Sequence, residues 1–291
     1  EMCIRDRSNN TMTQYENEVK KRDVMCCMNA GNQGCGRKWS RMRIIKDTGT
    51  DKLDKEAKKL GIELVAIRSN FTDTVFSENT EAEFTRFYDK LRQTDTLPVS
   101  SQPSPAEFLE LFEDAKEKQE EVVVITISSK LSGTYNGAML AKDMAEYDNI
   151  YVVDSLLASL SERLLVEYAV KLRDAGMGAK ELVQKLEQDR ERVILTGVPS
   201  TLLYLKMGGR ISPVVAAVGG VIGIKPVLWL KDGVIESRSK ARGMRMAKSG
   251  MQSFLKDYEA DPAMPVMFAH SDNAETVSYT HLRAHETSLH L

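Results

Sequence analysis

The densest concentration of potential chemistry is the stretch Ser128-Ser129-Lys130-Leu131-Ser132-Gly133-Thr134-Tyr135. It follows Val122 to Ile127, a β-branched run that reads as a strand covered on both faces. A helix is expected to open near Thr134. Three serine hydroxyls, one threonine hydroxyl and the amides of that helix's first turn therefore converge at one strand end. Free N–H groups and the positive end of a helix dipole hold anions. Open α/β sheets also bind their ligands at the carboxyl ends of the strands. The spacing is neither that of a P-loop nor that of a nucleophile elbow. An ordinary N-cap loop has the same composition, so the residues alone leave anion site and cap as even readings.

Three further stretches carry polar groups of interest. Leu97-Pro98-Val99-Ser100-Ser101-Gln102-Pro103 is a second hydroxyl-rich turn, directly before a capped helix; a plain loop accounts for it as well. Met207-Gly208-Gly209-Arg210-Ile211-Ser212 joins two glycines to a guanidinium whose fork suits a carboxylate or phosphate. The almost wholly apolar Val214 to Ile224 follows it, so a cation stands beside an apolar stretch, which suits an amphiphilic anion or simply a core helix after a turn. His270 ends a predicted strand, where a capping role is the commoner one.

The elements that must position these groups alternate. Ile62 to Ile67 reads as a strand and Glu81 to Arg92 as a helix with Phe84, Phe87 and Leu91 at helical spacing. Ser104-Pro105-Ala106-Glu107 has the form of a capping box, opening a helix that buries Phe108, Leu111 and Phe112. Ile150 to Val153 reads as a strand and Leu156 to Leu172 as a helix. Strand and helix in alternation argue for a parallel sheet with crossover helices. Beyond about residue 178 the pattern becomes mixed. Pro226 to Leu230 and Val234 to Ser239 flank an Asp-Gly turn and read as a β-hairpin. The expected fold class is α/β in two domains. An N-terminal parallel-sheet domain spans 42–175, and a C-terminal α+β domain with a mixed or antiparallel sheet spans 176–277.

Residues 1–41 show no sustained period and are expected to be a non-native or disordered leader, with 278–291 a non-native tail. Both extremes look like translated sequencing-adapter read-through. All four cysteines (Cys3, Cys26, Cys27, Cys35) fall in the leader, so the main body has no disulfide framework. No His near Cys26, Cys27 and Cys35 completes a zinc set, and His281, His285 and His290 lie in the tail without a strand or helix around them. No metal site and no cofactor is expected. Across 291 residues, 40 Lys and Arg stand against 42 Asp and Glu. That balance excludes a nucleic-acid partner held by phosphate neutralisation. The longest apolar stretch, Ile211 to Leu230, is broken by Ser212, Pro213, three glycines, Lys225 and Pro226, so no stable membrane insertion is expected. A cytoplasmic protein fits these bounds.

From Met42 to about Val277 the chain resembles the DegV family of bacterial fatty-acid-binding proteins. The resemblance rests on co-ordered motifs: Asp47-Thr48-Gly49-Thr50-Asp51, Ser100-Ser101-Gln102-Pro103-Ser104, Ser128 to Tyr135, Asp154-Ser155, Leu205 to Ser212, Ile224-Lys225-Pro226 and His270-Ser271-Asp272. It implies a two-domain carrier that holds a long-chain fatty acid in an apolar tunnel. Ser132 and Ser100 would bind the carboxylate, with Arg210 and His270 around the same end; Ser101, Ser128, Gly133 and Thr134 complete the expected ligand-binding set. It further implies a separate fatty acid kinase subunit that makes acyl phosphate for phospholipid synthesis, with no catalytic residue in the carrier. Three features depart from the family's pattern. Ser161 and Arg163 replace usual glycines, where Arg163 could crowd the ligand path; Lys46 replaces a common Thr; and the closing segment after His270 is expected to be missing. Two other readings remain open on the residues. One is a hydrolase or acyltransferase using Ser132 with His270 as base; the other is a small-anion binder without a lipid tunnel.

Overall fold

A computed structural model describes residues 2–5, 42–49, 54–213, 215, 223–258, 264 and 266–269. The chain begins with β1 (Met2–Arg5), β2 (Met42–Asp47), α1 (Asp54–Leu60), β3 (Ile62–Val65), β4 (Arg68–Asn70) and β5 (Val75–Phe76). It continues with α2 (Glu81–Gln93), β6 (Val99–Ser101), α3 (Pro105–Glu117), β7 (Glu121–Thr126), α4 (Thr134–Ala145) and β8 (Ile150–Asp154). Then follow α5 (Leu160–Asp174), α6 (Ala179–Asp189), β9 (Ile194–Gly197), α7 (Leu203–Met207), β10 (Ile224–Lys231), β11 (Val234–Arg242), α8 (Gly243–Leu255) and β12 (Met267–Ala269).

The β-branched run expected to be covered on both faces is so covered. Strands β3, β2, β7 and β8 form a parallel sheet in that order. Val122 and Val124 pack with Ile45 against Phe108 and Phe112 of α3 and the alanine face of α4. Val123 and Ile125 pack with Ile44 against α5 and α6 on the other side. Each of these side chains is wholly buried, the arrangement that crossover helices impose on a parallel sheet.

Helix α5 packs against β2 on one side and against β1, β9 and β12 on another. Its buried residues consequently run round the helix, from Leu160 to Leu172, and include Ser161 and Glu162. The helix begins four residues later than its sequence suggests. Leu156 and Ser159 adopt φ of 53° and 52°, and the intervening turn is tied by Asp154 Oδ1, which accepts from Leu156 N–H at 3.1 Å. Ser155 Oγ accepts from Leu157 N–H at 3.0 Å. Short polar side chains that bond their own backbone compete with helix, which explains the delay.

The second sheet is antiparallel throughout, in the order β11-β10-β9-β1-β12. Helix α6 packs its Leu182 and Leu186 into the core beneath the parallel sheet, and β9 follows it in the second sheet. Met2–Arg5, within the expected leader, pairs with both β9 and β12. Two facing strand edges present unpaired amides and carbonyls, which any extended segment can satisfy. Four residues are too few for a period to show in the sequence.

A third, small sheet of order β5-β4-β6 is also antiparallel. It stands beside α2 and faces the second sheet across a cleft. Among the described residues no helix is long and apolar enough to cross a membrane.

Candidate functional site

In the parallel sheet, β2 leads outward to β3 and β7 leads the opposite way to β8. Their carboxyl ends therefore flank the point where strand order reverses, the standard ligand crevice of open α/β sheets. The two loops that leave this point are tied by one carboxyl group. Asp47 Oδ1 accepts from Gly49 N–H at 2.8 Å and Oδ2 accepts from Ile127 N–H at 2.7 Å. Asp47 is fully buried, and burial pushes its carboxyl above the ordinary carboxylate range against the pull of Lys46, the two N–H groups and Glu162. Lys46 is itself fully buried and donates to the Asp47 carbonyl at 2.5 Å. The sequence marks Asp47 only as the first residue of a family-like motif and Lys46 only as a departure from it; neither was expected among the ligand-binding residues.

Beyond Ile127 the loop folds on Ser128. Leu131 and Ser132 donate their N–H groups to its carbonyl at 2.9 and 3.1 Å. Its hydroxyl accepts from Lys130 N–H at 3.2 Å and donates to the Gly233 carbonyl at 2.7 Å. Gly233 sits at the β10–β11 turn with φ +82°, and a Cβ there would lie 2.6 Å from Ser128 Oγ. Only glycine fits that approach and that conformation. Ser128 is wholly buried, and its hydroxyl fastens the loop to the hairpin.

Ser132 does open toward solvent in part. Its Oγ lies 2.9 Å from Thr134 Oγ1 and accepts weakly from Thr134 N–H at 3.4 Å. The N-cap of α4 is Gly133, which offers no capping side chain; the remaining first-turn amides and the dipole end are left for an anion. The Gln102 side chain packs where a Cβ on Gly133 would stand, 2.1 Å from it, so Gln102 brings the end of β6 against the start of α4.

Arg210 completes the junction. Its Nε donates to the Leu131 carbonyl at 3.2 Å, one guanidinium nitrogen stands 3.5 Å from Ser100 Oγ, and the other donates to the Gly208 carbonyl. Ser100, Ser132, Gly133, Thr134 and Arg210 are thus brought together from three parts of the chain. Ser101 is not among them. It shares a face with Asn70, whose amide donates to Ser101 Oγ at 3.0 Å and to the Val99 carbonyl at 3.1 Å, on the side of the small sheet opposite Ser100. His270 lies outside the described residues, as do the four cysteine side chains and the histidines of 281–290. Among the described residues no cluster of His, Cys, Asp or Glu could hold a metal ion.

A cleft of about 1210 Å³ runs between the small sheet and the antiparallel sheet. Phe84, Phe87, Tyr88 and Leu91 form one wall, at successive turns of α2; Leu195, Val198, Leu228 and Trp229 form the other, with Thr48 and Gly49 where the cleft meets the end of β2. Arg163, the expected obstruction, points elsewhere. It pairs with Glu167 at 3.0 Å and Glu56 at 3.5 Å. Ser161 Oγ donates to the Ala158 carbonyl at 2.7 Å and serves the helix start.

A sequence profile described as "Uncharacterised protein, DegV family" matches residues 41–289. The chain belongs to the DegV family. The match takes in most of 278–291, the stretch expected to be a tail. A DegV domain-containing protein of Caldanaerobacter subterraneus subsp. tengcongensis is 30% identical over 236 residues, covering 81% of this chain and 84% of that one. Among solved DegV structures, a Thermus thermophilus family protein described by its fatty acid binding superposes with TM-score 0.67 at 30% identity, covering 75% of this chain and 77% of that one. The Streptococcus pneumoniae Fatty Acid Kinase (Fak) B3 protein, loaded with linoleic acid, superposes with TM-score 0.65 at 28% identity, covering 75% and 78%. The α/β fold with an N-terminal parallel sheet and a C-terminal antiparallel sheet is that of these DegV proteins.

Proposed function

We propose that this DegV-family chain binds a long-chain fatty acid in the cleft and presents its carboxylate to a separate fatty acid kinase of the cytoplasm, which forms the acyl phosphate for phospholipid synthesis. One observation supports the reading: a large, mostly apolar cleft is lined by Thr48 and Gly49 at the sheet's switch point and by Ser69, which pairs with Ser100 at a junction of hydroxyls, helix amides and a guanidinium. A ligand with an anionic head and a long apolar tail matches both halves. Ser132, Ser100 and Arg210 would take the carboxylate with the first amides of α4, and His270 would stand near the same end. Among the described residues, Ser132 Oγ lies against the Thr134 hydroxyl. The solved relatives described with fatty acids support the choice of ligand, and the Fak B3 relative supports a kinase partner.

Mass spectrometry of ligand carried through purification, followed by ATP turnover with and without a fatty acid kinase, tests this. A bound fatty acid, with acyl phosphate formed only when the kinase is added, is the expected result. Acyl phosphate or ester turnover by the chain alone would overturn it.

A further inference from the structure

The small sheet carries one row of residues whose chemistry changes along its length. Ser100 pairs directly with Ser69, and Ser69 pairs directly with Phe76. Residues directly opposed in antiparallel strands project to the same side, and their neighbours in sequence project to the other. Asn70 and Ser101 confirm the second half of that rule, since they meet on the far face. Ser69 and Phe76 both line the cleft, and Ser100 projects to the same side of the sheet beside Ser69. Neighbouring strands lie about 4.8 Å apart, which makes the row from Ser100 to Phe76 roughly 10 Å long.

The two ends of the row are different environments. At Ser100 the Arg210 guanidinium stands 3.5 Å away. Ser69 comes next, and among the described residues its hydroxyl has no hydrogen-bond partner. At the far end Phe76 meets Phe87 edge-on at 5.5 Å and Phe71 at 5.7 Å, while Phe71 and Phe87 meet at 5.8 Å. Phe71 and Phe76 are 7% and 9% exposed, and Lys90 Nζ covers the Phe71 ring at 5.5 Å. Three rings packed edge to face give this end of the cleft a continuous aromatic wall.

Resting on the fatty-acid reading above, we propose that this row sets the direction and the selectivity of the bound acyl chain. Ser69 joins Ser100 at the carboxylate end, and Phe76, held by Phe71 and Phe87, is the surface against which the chain's length and shape are measured. A chain laid along the row leaves polar contacts at Ser69 and buries its methylenes from Phe76 onward. Each methylene that gains or loses an apolar wall changes affinity about fourfold.

The test is a competition series on the delipidated full chain with lauric, myristic, palmitic, stearic and oleic acids against a fluorescent fatty acid. Ser69→Ala is expected to weaken every acid by one common factor, about threefold to tenfold, and to leave their ranking unchanged. Phe76→Leu is expected to change the stearic-to-lauric and stearic-to-oleic affinity ratios by about fourfold or more. Phe87→Leu, one ring along the same wall, must shift those ratios in the same direction and gives the reading if Phe76→Leu does not fold. Ratios unchanged in a folded variant, or a Ser69→Ala effect that varies with chain length, would overturn the proposal. A wild-type chain that binds none of the acids would instead sink the fatty-acid reading itself.

Discussion

The parallel sheet and the small three-stranded sheet meet at the same site but are built on opposite terms. In the parallel sheet Val122 to Ile125 are wholly buried, and helices cover both faces. In the small sheet no residue of β6 is buried, and Val99 and Val75 are 70% and 56% exposed. The first contributes backbone: strand ends, loop amides and the start of α4, held in place by packing on every side. The second contributes side chains, one face to the cleft and the other to solvent and α3. The backbone groups of the junction thus ride on the fully packed element, and Ser69 and Phe76, which line the cleft, ride on the half-open one.

The largest contrast lies in stability. Phe108→Ala, which empties a wholly buried site between α3 and the parallel sheet, is expected to cost about 3–5 kcal/mol. Phe84→Ala, on the α2 wall of the cleft, removes a partly exposed ring and is expected to cost about 1 kcal/mol. Urea unfolding of both variants measures the difference. Equal losses would show that the cleft wall is as tightly packed as the core and would erase the distinction.

A smaller contrast divides the two faces of the small sheet and the loop opposite. Ser132→Ala is expected to weaken fatty-acid binding at least tenfold, in line with the loss of one charge-assisted hydrogen bond of about 1.5–3 kcal/mol. Ser101→Ala is expected to leave affinity near the wild-type value, because its hydroxyl bonds Asn70 on the far face. Displacement of a fluorescent fatty acid reads both. A Ser101→Ala loss as large as that of Ser132→Ala would mean that the face assignment fails.

The smallest effect concerns how the small sheet is anchored. Glu107 accepts from the Ser104 N–H and hydroxyl at 2.9 Å each, and pairs with Arg68 of β4 at 2.7 Å. The Arg68 guanidinium, aided by Ser104, lowers its carboxyl from the ordinary value near 4.5 to about 2. A depressed folded-state value stabilises the fold above the unfolded value, and that contribution fades as pH falls from about 4.5 to about 2. Both partners are about one-third exposed, so the effect is expected to be about 1 kcal/mol or less. Glu107→Gln should flatten the acid limb of the stability profile by that amount; an unchanged limb would show that the anchor contributes nothing.

Much of this protein was legible from residue order, and the physical reason is locality. The buried run Val122 to Ile127, the Ser104 to Glu107 box, the Asp232-Gly233 hairpin and the hydroxyls before α4 are patterns a short window contains. The co-ordered motifs likewise mark the family within the residue order alone. What a short window could not contain was decided by packing. Ser100 and Ser101 are adjacent and alike, and only strand pairing turns one toward Arg210 and the other toward Asn70. Ser128 and Ser132 look interchangeable until the Gly233 carbonyl, more than a hundred residues away, takes the first hydroxyl and leaves the second. The α2 stripe of Phe84, Phe87 and Leu91 has the spacing of an ordinary core face, since helical period reports that a face is apolar and not what it will meet. It meets a cleft. Sequence determines which groups are available and on which local element they ride; the long-range pairing of strands, which no local period encodes, decides which of them face one another across a space a ligand can enter.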